Sequence, residues 1–196
     1  MKHQSTAWSS LADAELFAAL RGTRQESEGA FTEIYARYAT QVHTYCLHIL
    51  SHRSAAEDVF QETFVRFYNS ATAERGDCPP TNVIGFLITI ARNLCLNHKS
   101  SRREYVSLEE YTIVEPAPLQ AYESSELMSL IERSLDLLEP HHREAFVLRE
   151  FDGLPYAEIA EILKTTEATA KTWAFRAKQK IQQILQPYLH DLNRNA

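Results

Sequence analysis

Two stretches of the chain gather the residue types that neutralise phosphate and hydrogen-bond to nucleic-acid bases. In the first, Arg92, Asn93, Asn97 and Lys99 fall at successive turns of a helical pattern, Arg102 and Arg103 follow, and no acid interrupts residues 92–103. A carboxamide both donates and accepts, so it can read an unpaired base edge while neighbouring cations hold the strand. The second stretch, 164–180, sets Lys171, Arg176, Lys178 and Lys180 against a single acid, Glu167. A third set, Asp58, Gln61 and Glu62, is left on the polar side of a helix pattern so rich in aromatic and β-branched residues that part of it is expected to face a partner protein.

Other chemistry finds less support. His43 and Cys46 are three residues apart, as are Cys95 and His98, a spacing that would suit two-plus-two zinc ligation. Both cysteines sit among apolar residues, however, so core packing is the better reading and no metal is assigned. The chain has neither a Gly-rich phosphate loop nor a nucleophile motif, so no catalytic residue and no cofactor are expected.

The elements that must position these residues are helices. Only 5 Gly and 7 Pro punctuate the 196 residues, strand-like alternation is missing, and an all-α fold follows. Leu11, Leu16, Phe17 and Leu20 mark a first helix after Ser9-Ser10. Phe31, Ile34, Tyr35, Tyr38, Val42, Tyr45, Cys46 and Ile49 keep one apolar face along a second. A third is expected from a capping box at Ser54 with Glu57, running through Val59, Phe60, Phe64, Val65, Phe67 and Tyr68. The stretch 71–81 reads as a loop broken by Gly76 and Pro79-Pro80. Val83, Phe86, Leu87, Ile90, Leu94 and Leu96 then give a fourth helix, which ends in the first basic stretch.

Residues 104–122 lose the helical period, contain Pro116 and Pro118, and read as an extended acidic linker. The expected organisation is therefore a helical domain at 1–103, a linker at 104–122 and a second helical domain at 123–196. In the second domain, Tyr156 to Leu163 and the helix capped by Thr166 form a helix-turn-helix pattern whose second helix is basic.

The net charge of −6 is uneven. Residues 104–161 hold fourteen acids and three bases, so two basic islands stand in an acidic chain. Each island alone would bind DNA weakly, because phosphate neutralisation supplies most non-specific affinity, and a partner is expected to be needed for tight binding. Three cysteines at irregular spacing suit a reducing cytoplasm. The first ten residues lack an apolar signal core and no run reaches membrane-spanning length, so export and membrane insertion are not expected.

Taken in order, SAAEDVFQETFVRFY, GFLITIARNLCLNH and LDLLEPHHREAFVLREFDGLPYAEIAEIL resemble bacterial RNA polymerase sigma factors of the extracytoplasmic-function group, across about residues 26–187. The resemblance implies a sigma region 2 bundle and a sigma region 4 helix-turn-helix. It implies a non-enzymatic subunit that binds core RNA polymerase at the β′ clamp coiled coil and the β flap, recognises −10 and −35 promoter elements and helps melt the DNA, under an anti-sigma factor. By position, Asp58, Gln61 and Glu62, with Phe60 and Phe64 as an apolar patch, resemble the clamp-docking surface. The loop at 71–81 matches the segment that cups a flipped −10 base. Asn93 matches a −10 recognition residue, within the basic set Arg92, Asn97, Lys99, Arg102 and Arg103.

Lys171, Thr172, Phe175, Arg176 and Lys178 match the positions that face the −35 element; the Arg176 fork suits a guanine edge and the Lys178 ammonium suits phosphate. Several residues depart from the family pattern. Lys164 stands where the turn usually has Gly, so this turn needs a left-handed residue with a side chain or a different shape. Ala168 and Ala170 thin the helix packing, Phe86 replaces a usual Trp, and Cys78-Pro79-Pro80 is not the common loop. A stand-alone helix-turn-helix regulator is the alternative, but it leaves the 92–103 stretch and the Asp58–Glu62 surface without a role.

Overall fold

The computed structural model describes residues 8–73, 82–106 and 123–192, with side chains at 8–73, 82–100 and 130–187. It divides into two compact units, Met1–Asn97 and His98–Ala196. The boundary falls inside a helix, where the sequence reading placed it after Arg103.

The first unit contains α1 (Asp13–Ala19), α2 (Arg24–Leu50), α3 (Arg53–Thr72) and most of α4 (Val83–Val106). Three of the four starts have a local cause. Glu15 Oε2 accepts the Ala12 amide at 2.7 Å before α1. Thr23 and Glu26 form a reciprocal capping box at α2: the Thr23 amide donates to Glu26 Oε2 at 2.7 Å and the Glu26 amide to Thr23 Oγ1 at 3.4 Å. Asn82 Oδ1 accepts the Gly85 amide at 3.0 Å to open α4. The expected Ser54 capping box is not formed. Helix α3 starts one residue earlier, with His52 at its N-cap, and Ser54 Oγ hydrogen-bonds His52 Nδ1 at 3.1 Å.

Leu16, Leu20, Ile34, Val42, Tyr45, Val59, Phe67, Leu87, Ile88 and Cys95 fill the core of this unit. Phe17 meets Phe67 edge-on at 6.0 Å and Phe67 meets Phe86 at 5.9 Å, so α1, α3 and α4 share an aromatic seam. Arg37 of α2 clamps α1, donating to Asp13 at 3.0 Å and to the Leu11 carbonyl at 2.9 Å. Gly29 lets the Trp8 indole lie on α2, since a Cβ there would come within 2.5 Å of the ring.

The second unit contains α5 (Glu123–Asp136), α6 (Pro140–Phe146), a π-helical turn at Val147–Phe151, α7 (Tyr156–Leu163) and α8 (Glu167–Leu192). The π turn closes with the Asp152 amide donating to the Val147 carbonyl at 3.2 Å, and Gly153 at φ 71° redirects the chain into α7. Ile159, Ile162 and Leu163 of α7 and Ala170, Ala174, Ala177 and Ile181 of α8 are buried. The four alanine and isoleucine positions on α8 recur at three- and four-residue spacing, so one narrow stripe faces inward and the rest of the circumference is left for solvent or ligand.

Helix α4 runs on to Val106, three residues into the stretch read as an extended linker. Residues 107–122, and positions 74–81 of the 71–81 loop, lie outside the described residues. So do the side chains of Arg102 and Arg103.

Candidate nucleic-acid and polymerase interfaces

In the second unit, α7 ends at Lys164, whose φ of 54° and ψ of 51° are left-handed. The Thr165 amide donates back to the Ala160 carbonyl at 2.9 Å, a Schellman-type closure that would ordinarily take Gly. Thr166 then caps α8 as the sequence suggests, accepting the Thr169 amide at 3.2 Å. This tight pivot fixes the direction in which α8 leaves α7.

Opposite the buried stripe, α8 exposes Lys171, Thr172, Phe175 and Arg176. Phe175 is 59% exposed, unusual for a phenyl ring on a helix that has a core to join. Thr172 Oγ1 donates to the Ala168 carbonyl at 2.8 Å, leaving the exposed hydroxyl oxygen able to accept. Lys178, exposed one turn beyond Phe175, lies 3.5 Å from Glu150 Oε2. A face of two bases, a hydroxyl and an exposed ring can enter a major groove, pairing phosphates at its edges and touching base edges and methyl groups at its centre.

On α4, Asn93 and Asn97 are exposed one turn apart, while Arg92 and Lys99 are half-buried. Leu96 stands between the two asparagines at 42% exposure. The sequence pattern assigned it to the apolar stripe; it is three residues beyond Asn93 and therefore shares the polar face. An amide pair with an aliphatic side chain between them offers hydrogen bonding and apolar contact to an unstacked base.

Helix α3 exposes Asp58, Gln61 and Glu62, and Glu62 pairs with Arg66 at 2.7 Å. The expected flanking by Phe60 and Phe64 is corrected. Phe64 is 4% exposed, packed against Phe31 at 6.2 Å and Tyr35 at 4.9 Å of α2. Phe60 is half-buried against Tyr35 at 6.0 Å and His43 at 5.2 Å. Both belong to the stripe facing α2, because two residues of helix carry the chain to nearly the opposite side, from Asp58 to Phe60 and from Glu62 to Phe64. The apolar member of the exposed face is Val65, 53% exposed, one turn beyond Gln61 and Glu62. The sequence pattern, too rich in apolar residues for one buried stripe, left open which of them faces outward; the i+3 and i+4 relation of Val65 to the polar pair was the signal available.

His43 stacks edge-on to Phe60, and Cys46 and Cys95 are fully buried. Among the described residues no group of three or more His, Cys, Asp or Glu could hold a metal ion. No helix among them is long and apolar enough to cross a membrane.

A short helix, a left-handed pivot and a long basic helix with an outward face define a DNA-binding helix-turn-helix unit. The sequence matches sigma-70 region 2 over residues 34–105 and sigma-70 region 4 over residues 128–181. RNA polymerase sigma factor CarQ of Myxococcus xanthus is 30% identical over 166 residues, spanning 83% of this chain and 92% of that protein. Two solved structures share the fold. CnrH in complex with the cytosolic domain of CnrY superposes with a TM-score of 0.65 at 19% identity, covering 89% of this chain and 97% of that one. The sigma factor RpoE in complex with the anti-sigma factor NepR from Bartonella quintana gives 0.63 at 22%, covering 80% and 96%. The chain belongs to the extracytoplasmic-function group of the sigma-70 family of RNA polymerase sigma factors, which are promoter-recognition subunits and not enzymes.

Proposed function

We propose that the chain docks on core RNA polymerase through the α3 face of Asp58, Gln61, Glu62 and Val65, with Phe60 and Phe64 bracing that helix from beneath. Its target there is the β′ clamp coiled coil, and the region 4 unit engages the β flap. Residues 1–103 form the core-docking and −10 domain, 104–122 the linker and 123–196 the −35 domain. Asn93 and Asn97 read the melted −10 strand while Arg92, Lys99, Arg102 and Arg103 hold its backbone. Lys171, Thr172, Phe175 and Arg176 read the −35 duplex, with Lys178 on phosphate.

The observation that carries this reading is the outward face of α8, where Lys171, Thr172, Phe175 and Arg176 are all exposed opposite a continuous buried stripe. The RpoE and CnrH structures were determined with NepR and with a domain of CnrY bound, which supports an anti-sigma factor as the controlling partner here. The site of action is the cytoplasm, where core polymerase and promoter DNA are found. Footprinting of the holoenzyme tests the division of labour. Arg176→Ala should lose upstream protection, and Asn93→Ala should lose permanganate reactivity of melted thymines. If both substitutions left both signals intact, the assignment would fail.

A further inference from the structure

His141 and His142, near the start of α6, are absorbed by none of the roles above. The His141 imidazole lies 4.9 Å from the Trp173 indole, ring centre to ring centre, at an interplanar angle of 40°. His142 lies 5.4 Å from His141, edge-on. Trp173 is on α8, one turn before Arg176, so the two imidazoles stand along the flank of the helix that presents Arg176.

The electrostatics of this cluster are one-sided. Burial, His141 and the Arg176 guanidinium all hold the His142 imidazole below its ordinary range, and Glu139 pushes the other way. Of the elements packed against α6, α8 contributes Arg176 to this balance, and the α5 carboxylate Asp136 is engaged with Arg143 at 2.9 Å. Among the described residues no α7 group acts on His142. His141 faces the uncharged Trp173. Two imidazoles beside a guanidinium are a poor arrangement for the protein alone, since each added proton meets a neighbouring cation. The same arrangement favours an anion, which turns mutual repulsion into shared attraction.

We infer that His141 and His142 form a further phosphate-contact site for the −35 duplex, flanking Arg176 and engaging the sugar–phosphate backbone beside the groove that α8 enters. This rests on the reading of α8 as the recognition helix. When such a helix lies in the major groove, the strand backbone passes along its flanks, and a surface stacked on Trp173 is in place to meet it. An arriving phosphate favours the imidazolium form, so DNA binding takes up a proton and affinity falls as pH rises through the imidazole range.

The test uses holoenzyme reconstituted from core polymerase and the full chain, with a labelled promoter duplex selected from genomic DNA by that holoenzyme. Affinity is measured across a salt series at pH about 6 and about 8, either side of the imidazole range. Wild type should bind roughly threefold to tenfold tighter at the lower pH, with a salt slope steeper by about 0.9 for each phosphate gained. His141→Gln with His142→Gln should erase both differences, and His142→Lys should keep the steeper slope at both pH values. Unchanged pH dependence and slope in the double glutamine variant would overturn the inference. Arg176→Ala should lose −35 discrimination yet keep the pH difference. If it kept full discrimination, the recognition-helix reading would fail and this inference with it.

Discussion

Lys178 Nζ lies 3.5 Å from Glu150 Oε2, joining α8 to the π-helical turn that follows α6, with both side chains still open to solvent. The ammonium assigned to phosphate is therefore shared with a carboxylate before any DNA arrives. An exposed pair of this kind is worth about 0–1 kcal/mol. Glu150→Gln should release Lys178 and remove a like charge from the path of the DNA, raising promoter affinity by about twofold to fivefold at low salt. A fluorescence-anisotropy titration of holoenzyme on promoter DNA checks this; unchanged affinity would mean that the pair does not compete with phosphate.

Arg176 and Lys178 should fail differently. Loss of a base-reading guanidinium costs about 1–3 kcal/mol against the preferred base and relaxes choice at that position. Loss of a phosphate contact weakens all sequences alike and lowers the salt slope by about 1. Binding to a promoter library should therefore be selectively relaxed for Arg176→Ala and evenly weakened for Lys178→Ala. Equal effects of Arg176→Ala at all promoter sequences would count against its role.

The α3 surface separates folding from docking. Phe64 is buried in a cluster of rings, and Phe64→Ala should cost about 3–5 kcal/mol of stability. Val65 is exposed, so Val65→Glu should leave thermal stability within about 0.5 kcal/mol while weakening capture of core polymerase. A melting curve and a core-polymerase titration on both variants read the two effects. Full polymerase affinity in Val65→Glu would remove this face from the docking surface.

The left-handed Lys164 stores strain. A residue with a Cβ costs about 1–2 kcal/mol in that conformation, offset in part when Gly replaces it by the greater freedom of the unfolded chain. Lys164→Gly should raise stability by roughly 1 kcal/mol, visible as a higher urea midpoint with an unchanged slope. A loss of stability would show that the Lys164 side chain makes a compensating contact.

Asp152 carries a pH signature. Buried at the end of the π turn, its carboxyl is pushed up to about 8 by desolvation, against about 3.9 for an unfolded aspartate. Between those values the folded state binds more protons than the unfolded one, so stability is fully present at the acid end and declines as pH rises toward 8. Asp152→Asn should flatten this decline and stabilise the protein at pH about 8 by an amount on the order of 2 kcal/mol. Parallel melting temperatures for the two proteins from acid to alkaline pH would refute it.

The helix-turn-helix was legible because its signals are local. Thr166 as cap follows from a few adjacent residues, and the structure has it; at Lys164 the family resemblance left a left-handed residue or a different turn shape open, and the structure takes the first. The side chains at the surfaces were harder to place. Phe64 and Val65 are adjacent, similarly apolar and only a turn's fraction apart, yet one is core and the other solvent-facing; the difference lies in where α2 packs, which no window of α3 contains. Leu96 was misassigned for the same reason. The start of α3 was legible to within one residue, at Arg53 for an expected start near Ser54, but the capping box expected there is absent and His52 holds the N-cap position. The pairing of His141 with Trp173 joins residues more than thirty positions apart and leaves no periodic trace in the sequence.

The central claim is tested most directly by run-off transcription with purified core RNA polymerase on a genomic promoter library, with and without the full chain. Added protein should produce transcripts from a discrete set of start sites sharing −35 and −10 elements, and these should be lost with Arg176→Ala and Asn93→Ala. An active core enzyme that gave the same transcripts with and without the chain would contradict the account.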